Sequence, residues 1–155
     1  MGLLSFFRKK PNSFFSEAEQ DSIVSVIREA ERATSGEIRI FIESKNPMVD
    51  VMDRAKEIFA NLGMEKTEHR NAVLLYIATK DHELALYADE GIYNRVGAAF
   101  WNDAVKDILR QMKGDHIAAG VELGVYRIGQ TLKREFPYEK TTDKNELPDN
   151  IVFGK

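Results

Sequence analysis

The residues best equipped for chemistry are oxygen donors that lie far apart in the chain. Glu37 opens the alternating stretch Glu37-Ile38-Arg39-Ile40-Phe41-Ile42-Glu43. Asn71 immediately precedes the apolar run Ala72–Ala78, and Asp89-Glu90 follow a second alternating stretch that begins at Glu83. Carboxylates crowded together repel one another, which raises their pKa values unless a cation neutralises them. Hard oxygen ligands of this type suit Ca²⁺ or Mg²⁺. The chain has no cysteine, so disulfides, thiolate metal sites and cysteine nucleophiles are excluded. Three histidines, His69, His82 and His116, give weak grounds for a His-rich zinc site.

These donors matter only if the fold gathers them. Ser16-Glu17-Ala18-Glu19 is a capping box with Phe15 in the staple position. Ile23, Val26, Ile27 and Ala30 recur at helical spacing, predicting a helix from Glu17 to about Ala33, ended by Thr34-Ser35-Gly36. Residues 37–43 alternate as a strand. Val51, Ala55, Ile58, Phe59 and Leu62 predict a second helix, closed by Gly63. The unbroken apolar run 72–78 predicts a central strand covered on both faces. A short turn at 79–82 returns the chain as the strand 83–89, so these two form an antiparallel hairpin with Tyr76 and Tyr87 facing each other or nearly so. Gly91 opens a turn, and a helical stretch carrying Phe100, Trp101, Ala104, Val105, Ile108 and Leu109 follows. A final helix runs from Ile117 to about Phe136, stopped by Pro137. Gly120, Gly124 and Gly129 lie on or near one side of it. Glycine weakens a helix by about 1 kcal/mol, so close approach of another element is the expected compensation.

The first strand, second helix and second strand make a right-handed crossover, which sets the two strands parallel. The third strand runs back. Glu37, Asn71, Asp89 and Glu90 therefore gather at one edge of the sheet, and Asp103 can join them if the following helix packs over that edge. Arg70 and Arg95 are the nearby candidate cations. The same carboxylates also read as solvated strand ends, with Glu37 paired to Arg39 or Arg70.

With 155 residues, 43% of them hydrophobic and 30% charged, the chain is sized for one domain with one core. A net charge of −3 and a pI near 5.7 provide no electrostatic footprint for nucleic acid. The organisation read from the sequence is an N-terminal arm at 1–13, a domain at 14–137 and a tail at 138–155, with Ile151-Val152-Phe153 a candidate to dock back. The arm carries Leu3, Leu4, Phe6 and Phe7 before Arg8-Lys9-Lys10. It does not match a signal peptide or a myristoylation signal. Contact with an anionic membrane surface is the less favoured reading of it. No stretch reaches the ~18 apolar residues of a membrane span, and the cysteine-free composition fits a reducing cytoplasm.

Three strings, Thr34-Ser35-Gly36-Glu37-Ile38-Arg39-Ile40, Arg70 through Ala78, and Asp89-Glu90-Gly91-Ile92, together with Phe100-Trp101, resemble the TPM family. That family is named for a thylakoid lumen protein, a photosystem II repair protein and a nematode receptor modulator. The resemblance spans about residues 14–137 and is to short bacterial members without a membrane anchor. It implies a three-layer α/β/α sandwich around a small mixed sheet of three to four strands. It also implies divalent-ion binding, calcium above all with magnesium as the other candidate, and in some plant members an acid phosphatase activity. The matched positions that could carry an ion are Glu37, Asn71, Asp89 and Glu90. Two departures stand out. Ala72 replaces a glycine common in the family, and Asp89-Glu90-Gly91 replaces a glycine-rich string. The acidic variant favours a cation and makes transfer of phosphatase activity less safe. The expectation is a calcium-binding accessory or interaction domain with a possible protein partner. A metal-assisted phosphatase and a peripheral membrane protein are the alternatives.

Overall fold

The computed structural model describes residues 15–113, 117–138 and 151–154. In chain order the elements are α1 (Glu17–Glu31), β1 (Glu37–Glu43), α2 (Val51–Asn61), β2 (Ala72–Ala78), β3 (Glu83–Ala88), α3 (Glu90–Val96), α4 (Ala98–Met112), α5 (Ile117–Glu135) and β4 (Val152–Phe153). The sheet order is β3-β2-β1-β4. β1 runs parallel to β2 with Glu37 opposite Ala72, β2 antiparallel to β3 with Val73 opposite Ala88, and β4 parallel to β1. This is an α/β/α sandwich on a mixed four-stranded sheet.

Alternation along the strands divides the core. Ile38, Ile40 and Ile42, with Val73, Leu75, Ile77, Leu84 and Leu86, face a layer built from α1, α4 and α5. Leu74, Tyr76, Ala78 and Ala85 face the other way, onto Ala55, Ile58 and Phe59 of α2. Every residue of β2 is buried, as a central strand under helices on both faces requires. The capping box at Ser16 forms in both directions, Ser16 N–H to Glu19 Oε1 at 2.9 Å and Glu19 N–H to Ser16 Oγ at 3.0 Å. Gly63 takes φ 68 just past α2, the left-handed conformation that ends a helix.

The glycines of α5 do bring neighbours close. A Cβ on Gly124 would lie 2.6 Å from Ile108 Cδ1 of α4, and one on Gly129 would lie 2.7 Å from Ala30 Cβ of α1. Helices on both sides therefore seat against glycine faces, which compensates the weak propensity.

Three local expectations are corrected. Gly91 does not open a turn but sits in the first turn of α3, because Asp89 already caps that helix. The helical stretch after it is two helices, broken at Gly97, whose φ of 91 no side-chain-bearing residue adopts readily. Tyr76 lies opposite Ala85 and Tyr87 opposite Leu74; the two tyrosines share a face without facing each other. Tyr76 stacks on Phe41 and Tyr87 meets Phe59 edge-on instead. The N-terminal arm at 1–13 and His116 lie outside the described residues. Of the tail, Ile151–Phe153 docks as expected, adding the fourth strand.

Candidate functional site

The crossover and hairpin gather one edge of the sheet, with the start of β1, the start of β2 and the end of β3 side by side. The Glu37 N–H donates to Asn71 O at 3.4 Å and the Asp89 N–H donates to Ala72 O at 2.9 Å. The side chains of Asp89 and Asn71 are fixed there by different means.

Asp89 is 3% exposed. Its Oδ1 accepts the N–H of Glu90 at 2.8 Å, capping α3. Both carboxylate oxygens also accept from Arg70, Oδ2 from Nε at 2.6 Å and Oδ1 from Nη2 at 2.8 Å. This fork-to-fork pairing is the strong geometry for guanidinium and carboxylate. The third nitrogen, Nη1, reaches Glu90 Oε1 at 2.8 Å. One guanidinium thus serves two neighbouring carboxylates. Arg70 reaches them from a left-handed backbone, φ 51, and its side chain is 43% exposed. The Asp89 hydrogen bond raises the Arg70 pKa first, and the charges of Asp89, Glu90 and Glu65 raise it further. Three carboxylates therefore act on this one guanidinium.

Behind this pair lies Asn71, fully buried. Its Nδ2 donates to Ser35 Oγ at 3.2 Å and its backbone N–H to Thr67 Oγ1 at 3.3 Å. Its Oδ1 has no hydrogen-bond partner, and neither has Glu65 Oε2. A buried oxygen left without a donor costs stability. Glu37 is buried at the same edge, 3% exposed. Glu90 is exposed, and Asp103 is exposed on α4. As placed, the described residues contain no group of three or more His, Asp or Glu side chains positioned to hold a metal. The edge therefore unites Glu37, Asn71, Asp89 and Glu90 in the backbone, and nothing brings Asp103 into a common ligand set with them.

Of the two candidate cations, Arg70 is central and Arg95 is not. Arg95 donates from Nη1 to Glu135 O at 2.6 Å, at the end of α5, and its guanidinium lies 4.2 Å over the Phe136 ring. Glu65 joins this charge cluster without being singled out by the alternation and spacing of the sequence. Its one signal in the sequence is its position five residues before Arg70, in the loop leading to the start of the central strand β2. An open cleft of about 520 Å³ adjoins the edge, with Met52, Lys56, Arg70, Tyr87, Asp89 and Tyr93 among its lining residues.

A second carboxylate fork occupies the opposite end of β1. Glu43, 4% exposed, accepts from Arg54 Nε at 2.8 Å and Nη2 at 2.9 Å, and from the Tyr76 hydroxyl at 2.6 Å. The Glu43 hydrogen bond pushes the Arg54 pKa up, and burial pushes the Tyr76 pKa up. This network ties α2 to the sheet.

An α/β/α sandwich with an arginine-bridged acidic edge at its parallel strand starts defines the class of domain. The chain belongs to the TPM domain family, whose pattern matches residues 9–131. It is similar to the BA42 protein of the psychrophilic bacterium Bizionia argentinensis, at 38% identity and a TM-score of 0.84 over 91% of this chain and 96% of that one. Two more distant structures share the fold. One is the N-terminal domain of the cg2496 protein of Corynebacterium glutamicum, with 12% identity and a TM-score of 0.61 over 76% of this chain and 74% of that one. The other is the N-terminal domain of a P. gingivalis protein, with 14% identity and a TM-score of 0.63 over 81% of this chain and 82% of that one. No curated protein matches the chain. Among the described residues, no helix is long and apolar enough to cross a membrane.

Proposed function

We propose that this chain is an accessory domain that binds a divalent cation at the Asp89–Glu90 edge, in exchange for the Arg70 guanidinium. The observation that carries the reading is the sharing of one exposed guanidinium by two carboxylates. Glu65 adds negative charge nearby. Arg70 holds the place of a cation and, being partly exposed, has room to leave it. Asp89 and Glu90 would hold the incoming ion, with the partnerless Asn71 Oδ1 as a neutral donor and with Glu37 and Glu65 reinforcing the field. Calcium suits the set better than magnesium, because it tolerates irregular oxygen shells while Mg²⁺ demands a near-ideal octahedron. The cysteine-free composition favours a cytoplasmic setting.

The test is thermal unfolding of the chelator-stripped protein, titrated with Ca²⁺ and separately with Mg²⁺. A ligand at 100 times its dissociation constant stabilises by about 2.7 kcal/mol, which for a chain of this size is a Tm rise of roughly 5–10 °C. Asp89→Ala should abolish the rise, and Arg70→Gln should shift it to lower calcium. A flat response in both the wild type and Arg70→Gln at millimolar ion sinks the proposal.

A phosphatase is the second reading, favoured by one feature. Lys56 and Arg70 both line the cleft beside Asp89, and phosphoryl transfer needs cations around the transferring oxygens. Turnover of an aryl phosphate that requires calcium and is lost in Lys56→Met would support it.

A further inference from the structure

The outer edge of β1 is filled by the end of the same chain. Phe41 pairs with Val152 and Ile42 with Phe153, and the Gly154 N–H donates to Ile42 O at 2.6 Å. Ile151 and Phe153 are buried in the core that holds Ile40 and Ile42. A Cβ on Gly154 would stand 2.8 Å from Phe41 Cε1 and Cζ and 2.9 Å from Glu43 Cβ. The chain crosses Phe41 there because residue 154 has no side chain. The edge of β1 is thus a shaped slot with a sequence requirement: an apolar residue, one spacer, an aromatic residue, then glycine.

The occupant is held by little. β4 has two residues, and its buried anchors are Ile151 and Phe153. Their burial is set against the entropy of ordering four residues near the chain end. Residues 139–150 join this segment to the domain. Twelve residues span at most about 40 Å at 3.3–3.6 Å each, against a radius of gyration of about 15 Å for a domain of this size. When the segment leaves, β1 becomes an open edge, which is a template for pairing. The same four residues arriving from another molecule restore every contact, and two chains can exchange them reciprocally about a two-fold axis.

We infer that the β1 edge accepts Ile151–Gly154 from a second copy of this chain, giving a strand-exchanged dimer as protein concentration rises. The cysteine-free sequence makes a clean test possible. Neighbouring strands lie about 4.8 Å apart, within the Cα separations that disulfides span. Phe41→Cys and Val152→Cys are made in separate chains, mixed and oxidised over a concentration series. A double variant carrying both serves as the control for pairing within one chain.

The expected result is a cross-linked dimer joining position 41 of one chain to position 152 of the other. It should exceed the twofold excess over each self-linked dimer that random pairing gives, grow with concentration, and fall when Gly154→Val is added to the chain that donates its tail, since a Cβ there would still stand 2.9 Å from Glu43 Cβ of the Phe41→Cys acceptor. Gly154→Val acts at the contact of residue 154 with β1, where Phe41 and Glu43 are its neighbours. Statistical amounts of the three cross-linked dimers would overturn the inference, as would a double variant that locks only within itself while the mixture stays monomeric. A double variant that fails to lock at all also overturns it, since β4 would then not pair with β1.

Discussion

Gly91→Ala tests how the acidic edge is built. Gly91 lies in the first turn of α3, directly against the backbone that carries Arg70. A Cβ at this position would stand 2.1 Å from His69 O, 2.5 Å from Arg70 O and 3.0 Å from Arg70 C. Carbon and oxygen approach no closer than about 3.3 Å even in favourable C–H···O contacts, so the shortfall at His69 O exceeds roughly 1 Å. The opposing atoms are backbone, and no rotamer change relieves the clash. α3 and the 69–70 segment must therefore part by about that distance. The Arg70–Asp89 bonds, now 2.6 and 2.8 Å, would then pass beyond the ~3.2 Å limit of a good N–H···O bond. Overpacking of this kind costs about 1–3 kcal/mol, and alanine regains up to about 1 kcal/mol over glycine in a helix. The expected net loss is about 1–2 kcal/mol, measured by urea unfolding with an unchanged m-value. The calcium-dependent rise in Tm should shrink in parallel. A variant as stable as the wild type, or stabilised by its better helix propensity, would refute the close-packing argument.

At the other end of β1, Arg54→Met leaves the Glu43 carboxylate buried with the Tyr76 hydroxyl alone. Stranding one member of a buried pair costs about 3–5 kcal/mol, and adding Glu43→Gln should recover most of it in urea unfolding; equal losses in the single and double variants would show that the pair is not coupled. Tyr76 gives a pH signature. Burial raises its pKa in the folded state above the ordinary tyrosine value of about 10, so the folded protein keeps the phenol proton where the unfolded chain loses it. Stability is then full below about pH 10 and falls as pH climbs toward the folded pKa. Tyr76→Phe should flatten that alkaline fall in thermal melts from pH 9 upward, and an unchanged slope would place its cause elsewhere.

The backbone of the edge was legible because it follows from period and handedness. Alternation placed Glu37 at the start of β1, the unbroken apolar run placed Asn71 before β2, and the short turn at 79–82 sent Asp89 back to the same end. What these rules do not contain is the choice of side-chain partners. Arg39 and Arg70 were equal candidates for Glu37, and Arg70 goes to Asp89 because its left-handed backbone turns it toward the cap of α3. Gly91 was misread because glycine signals turns in general, whereas here its value is the missing Cβ against His69 O. The Glu43–Arg54–Tyr76 network was equally hidden, since residues 33 apart in sequence become neighbours only when the register of β1 on β2 is known.

The placement of Arg70 also has a kinetic consequence. Arg70, Asp89 and Glu90, with Glu65, fall within residues 65–90, the stretch that contains the β2–β3 hairpin. Closing so short a loop costs little entropy, and hairpins form on a timescale of about 1–10 μs. β1 arrives from across the α2 crossover and β4 from the far end of the chain, and such long-range pairings are the slow ones. The charged cluster thus belongs to a stretch of short-range contacts, while β1 and β4 join it through pairings of much greater sequence separation.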